Sequence, residues 1–205
     1  MARESHAIAN RSYFNFISIL NMNMLLGFLP FVAFALLSAA GYSTLGLLAG
    51  AVIAGATIVR DAITPGKRPK MLDIGTCVLF GALTIVAWAT TMDLSMALVR
   101  LCVDTGLCVI VLVTIVIGKP FSLEYAKESV PSSKWNDPRF IATNRAISGA
   151  WAAAFAVAAM ADVALWRHAL PARLVAILIL GALYAAFRFT RWYSHHRHQQ
   201  AIKQL

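Results

Sequence analysis

Between Ser95 and Ile117 the chain runs 23 residues in which only Arg100 and Asp104 are charged. About 20 apolar residues in a helix cross the roughly 30 Å hydrocarbon core of a bilayer. With no water there to satisfy backbone polar groups, a segment of this kind has to be helical. The pattern recurs at residues 24–40, 45–59, 72–90 and 174–189, and in a helix that Asp137-Pro138 opens and that runs to about Trp166. At about 20 residues a crossing, six such segments take up roughly 120 positions and leave no room for a second, water-soluble domain. Composition agrees: 60% of residues are hydrophobic and 13% charged, against about 45–50% and 25% in soluble domains. The expected fold is an all-α integral membrane protein, a six-transmembrane-helix bundle.

The chain divides into an amphipathic interfacial lead at 1–23, a membrane domain at 24–190 and a basic tail at 191–205. Ser38-Ala39-Ala40 has the look of a signal-peptide cleavage site, but the polar lead is too long for an n-region, so the first segment is expected to stay. Pro30 is expected to kink the first span. The loop at 119–140 is expected to be structured. In it Ser122 would cap a short helix over residues 123–130, with Glu124, Lys127 and Glu128 on a wet face. An acidic cap followed by proline at the first helical position makes Asp137-Pro138 a helix start.

Fifteen of the 18 Lys and Arg residues fall on one side of these spans, only Arg167 and Arg173 on the other, and Arg100 within the fourth. Short basic loops stay cytoplasmic, so both termini are expected inside, with anionic lipids gathered at that face. Trp88 and Trp166 at one boundary and Trp192 at the other fit interfacial belts. The spans also read as three helical hairpins leaving the membrane at Arg60, Lys119 and Arg188. The formal charge of +9 is thereby explained by topology. Nucleic acid is not an expected partner, because no soluble basic face with interleaved aromatics exists.

Ionisable groups inside a membrane are costly and normally face the bundle interior and pair. Arg100 and Asp104 stand four apart on one helix face, and Asp162, four residues before Trp166, falls at about the depth of Arg100. This candidate polar site would either bind an ion or small solute or relay protons, or lock helix packing through an Arg100–Asp162 pair, with Asp104 a second acceptor one turn deeper. Asp73, Asn144 and Arg145 lie near the inner boundary. They are expected to be satisfied by headgroups and helix ends, the alternative being a cytoplasmic vestibule.

Other chemistry has little support. Cys77, Cys102 and Cys108 all fall in apolar stretches without metal-ligand spacing. All five histidines lie outside the spans, which rules out a bis-histidine haem there. No HExxH, GxSxG or P-loop motif occurs, so no catalytic residue, metal or cofactor is expected. The four-residue stripes Gly46, Gly50, Ala54 and Ser148, Ala152, Ala156 suit close helix packing or a homo-oligomer face.

Gly27-Phe28-Leu29-Pro30-Phe31-Val32, Gly118-Lys119-Pro120-Phe121, and Lys134-Trp135-Asn136 followed by Asn144 and Trp151-Ala152-Ala153-Ala154-Phe155 resemble the intracellular septation protein A group of bacterial inner-membrane proteins. The resemblance implies a non-enzymatic scaffold that binds other membrane proteins in envelope maintenance or division. It transfers no catalytic residues. A small channel or secondary transporter using Arg100, Asp104 and Asp162 is the alternative, and a subunit of a larger membrane complex the third reading.

Overall fold

The computed structural model describes residues 27–90 and 95–202, and the regular structure among them is helical. The elements are α1 (Leu29–Ala39), α2 (Ser43–Ile63), α3 (Met71–Ala89), α4 (Met96–Val116), α5 (Phe121–Lys127), α6 (Pro138–Trp166) and α7 (Ala172–Ile202), with a 3-10 turn at Ser132–Lys134. Helices α2, α3, α4 and α6, and the Ala172–Arg197 part of α7, are long and apolar enough to cross a membrane. Large apolar side chains point outward all around them, among them Val52, Val78, Ile85, Val116, Met160 and Leu180. Water would make that surface prohibitive and lipid makes it favourable, so the chain is a multi-pass helical membrane bundle.

Helix α1 is the exception in length. Its 11 residues rise about 16 Å, half the hydrocarbon core. The interfacial lead and the start of the first span at Met24 lie outside the described residues. A break in the first span falls beside Pro30. The helical backbone is interrupted at Phe28, and Pro30 sits in the first turn of α1, where its missing N–H leaves no bond unmade.

The three-hairpin reading is replaced by two groups of three helices. Helix α2 packs on both α1 and α3, and α6 on both α4 and α7, whereas α3 and α4 touch less closely. Small residues let the helices within each group approach closely. A Cβ at Gly50 would lie 2.9 Å from the Phe80 ring, so α2 and α3 close only with glycine there, and the Cys77 thiol reaches the Ala51 carbonyl at 3.7 Å. In the second group Cys108 Sγ reaches the Ala152 carbonyl at 3.6 Å, and Trp151 donates to Thr190 Oγ1 at 3.1 Å. Both small-residue stripes are thus used inside the chain.

Gly118, with φ 76°, ends α4 in the left-handed region, and Lys119 N–H bonds back to the Thr114 carbonyl at 2.9 Å. That is a helix stop only glycine makes without strain, and Pro120 after it begins a new direction. Helix α5 starts at Phe121, with Pro120 rather than Ser122 at its cap. Its first N–H groups find partners on other helices, Phe121 on Thr114 Oγ1 at 3.2 Å and Ser122 on Ser148 Oγ at 3.3 Å, so no cap is needed. Asp137 does cap α6, accepting from Arg139 N–H at 2.8 Å. Helix α7 continues unbroken through the basic tail to Ile202. Arg197 Nε lies 3.4 Å from Thr143 Oγ1, which puts the end of α7 beside the start of α6. This end of the bundle, which also holds the α2–α3 loop and α5, is called the basic end below.

Candidate functional site

Two polar regions lie in this apolar frame. The first is inside the membrane. Ala158 and Ala161 on α6 and Val103 and Leu107 on α4 are all buried, and the alanines let the two backbones approach closely. As a result the Asp104 and Asp162 carboxyls face each other within hydrogen-bonding reach. Asp162 is fully buried, and neither of its oxygens receives a hydrogen bond. Asp104 is partly exposed. The expected Arg100–Asp162 pair is not formed: among the described residues Arg100 makes no ion pair, and its charge reaches both carboxyls only at longer range. Taking Trp166 as the membrane boundary placed Asp162 level with Arg100, whereas the packing of α4 on α6 sets it against Asp104.

The second region is at the basic end. Lys70, 5% exposed, closes the α2–α3 loop by binding the fully buried Asp61 on α2 and Glu128, which follows α5, the latter at 2.8 Å. Arg60 holds the other Asp61 oxygen at 2.9 Å. Glu124 accepts from Met71 N–H at 2.7 Å, an otherwise orphaned donor in the first turn of α3. The Tyr125 hydroxyl donates to Asp73 at 3.3 Å. Glu124 therefore faces α3 instead of lying on a wet face, whereas Glu128 stays exposed while it reaches Lys70. Burial pulls the Lys70 ammonium down, but its hydrogen bonds to Asp61 and Glu128 outweigh that and hold it above the ordinary lysine value. Burial pushes Glu124 up despite the Met71 bond. Burial, reinforced by the Asp73 charge, lifts the Tyr125 phenol well above its usual range.

A small polar cavity, about one water molecule in size, is enclosed here by Gly27, Thr57, Lys67, Lys70, Asp73 and Tyr125. A Cβ at Gly27 would collide with the Tyr125 hydroxyl. Asp73 belongs to this cavity, but Asn144 and Arg145 do not join it. Asn144 is buried in the α5–α6 seam, where its carbonyl and side-chain oxygens accept from Ser122 Oγ at 2.9 and 3.1 Å. Arg145 is exposed. Asp73 is satisfied by Tyr125 rather than by headgroups.

Asp61, Lys70 and Glu128 were not singled out by sequence, although an acid at the end of an apolar run and a lysine after a Pro-Gly loop are a visible signal. Three of the motifs that carried the family resemblance serve packing. Phe28 stacks on Trp151 at 4.7 Å, and Phe121 is buried in the same cluster. Among the described residues no three His, Cys, Asp or Glu side chains converge on a metal-sized site. No protein-family model, curated protein or solved structure matches the chain.

Proposed function

We propose that this protein carries an ion or small solute across a bacterial inner membrane, with Asp104 and Asp162 as the binding groups. The observation that supports this is the Asp162 carboxyl, fully buried among the spanning helices with both oxygens unsatisfied and a second acid in front of it. Buried polar groups are normally hydrogen-bonded, and a group left without a donor is costly to keep for packing alone. Function accounts for such a cost better than architecture does.

The test is flux. In proteoliposomes carrying a pH-sensitive dye and a potential-sensitive dye, imposed proton, Na⁺ and K⁺ gradients should dissipate faster than in empty vesicles. D104N and D162N should each abolish the difference. Wild-type vesicles indistinguishable from empty ones under all three gradients would sink the transport reading.

Orientation follows from charge. The basic end faces the cytoplasm together with both termini, and its Lys and Arg residues hold anionic headgroups at about 1 kcal/mol per well-placed cation. A membrane-impermeant thiol reagent added outside whole cells should label a cysteine at Ala169, in the exposed α6–α7 turn, and miss one at Ser133. The reverse pattern inverts the map. A scaffold for other membrane proteins in envelope maintenance or division stands as the second reading. The observation on its side is α7, the least buried of the spanning helices, whose outer face is open to a partner helix.

A further inference from the structure

We infer that Asp104 and Asp162 hold a single proton between them, so that the ion bound at this site is H⁺. The inference rests on the transport reading for its use, but its evidence is the local geometry.

Two facing carboxylates are acceptors only, and like charges at that distance in a low-dielectric setting repel strongly. One hydrogen removes both problems. It turns one carboxylate into an O–H donor, gives an Asp162 oxygen a bond it otherwise lacks, and cancels one of the two charges. Protonation adds H⁺ from water to a carboxylate oxygen and release returns it to water, with no other bond made or broken.

Charge balance fixes the number of protons. Arg100 is the charged group whose field reaches both acids, and among the described residues α3, α5 and α7 direct no ionisable group at them. With one proton the trio of Arg100 and two acids is neutral; with none it is a net anion and with two a net cation. Lipid favours the neutral state. A metal cation fits poorly, since hard cations take six or more oxygen ligands. One helical turn from the acids stand Leu107, Ala158 and Leu165, and the Cys108 thiol is occupied by the Ala152 carbonyl. Asp104 is the partly exposed member of the pair and Asp162 the fully buried one.

Infrared difference spectroscopy on the full chain in lipid nanodiscs tests this. Near neutral pH the wild type should show a protonated-carboxyl C=O band that shifts in D2O. D104N and D162N should each lose it, because the asparagine amide then donates to the remaining acid and Arg100 balances that acid's charge. R100Q should strengthen the band, since neutrality then requires a second proton. Asparagine is nearly isosteric with aspartate, and an unchanged circular dichroism melt identifies the folded variants. A wild-type band that is absent, or that survives in both single variants, overturns the shared proton. If the band is absent while Na⁺ or K⁺ flux is present and lost in D104N, the proton inference fails and the transport reading stands. If the band behaves as expected while vesicles show no flux, the transport reading fails and the proton site stands.

Discussion

Asp61 and Asp162 are both fully buried acids on membrane-spanning helices, yet their surroundings differ completely. Asp61 has Arg60 on one oxygen and Lys70 on the other, and Lys70 is tied in turn to Glu128. Asp162 has another acid, and the nearest arginine stays out of contact. This fold builds full ionic compensation where three segments need fastening and leaves it out at the acid pair between α4 and α6. The first region behaves as a clasp. The second leaves Asp162 without a donor, as the proposed binding role requires.

The sharpest way to break the comparison is to remove one member from each region. Taking Lys70 away leaves one oxygen of the fully buried Asp61 without a cation, and breaking a buried pair from one side costs about 3–5 kcal/mol. K70M should therefore lower the unfolding free energy by about that much, measured as loss of helical signal with denaturant in micelles. D162N should change it by about 1 kcal/mol at most, because its amide replaces the O–H donor that the shared proton supplies. If D162N proves as damaging as K70M, Asp162 is structural and the two regions are not different in kind.

How much of this could be read from the chain follows from the range of each interaction. The start of α6 was legible because Asp137 caps a neighbour two residues on and proline fixes its own φ, both local effects. Arg100, Asp104 and Asp162 were legible as expensive residues, since the cost of charge in lipid depends only on being there. Their pairing was not, because it turns on how closely α4 and α6 approach, which the small side chains at 158 and 161 set, and on a depth estimate wrong by one turn. Ser122 was misread for a related reason. A local capping rule competes there with partners on α6, Asn144 and Ser148, and long-range burial decides. The clasp was invisible as a unit: Asp61, Lys70 and Glu128 come from three segments whose contact is a property of the folded bundle.

The smallest effect expected concerns alkali, and it belongs to the clasp alone. Lys70 is held above the ordinary lysine value by its two acids, so the folded state binds its proton more tightly than the unfolded chain does. A group raised in this way stabilises fully below its unfolded value, about 10.4 for lysine, and loses that contribution as pH climbs from there through the folded value. Tyr125, raised by burial, adds a loss of the same sign beginning near the ordinary phenol range. Through Lys70 and Tyr125, thermal midpoints of the wild type in micelles should thus fall once the lysine range is entered. K70M starts lower and should fall less, with only the Tyr125 part remaining, so the gap between the two proteins narrows as pH rises. Parallel curves for wild type and K70M would mean that the Lys70 bonds to Asp61 and Glu128 contribute nothing that deprotonation can remove, and the clasp would then have to be explained by packing around Tyr125 instead.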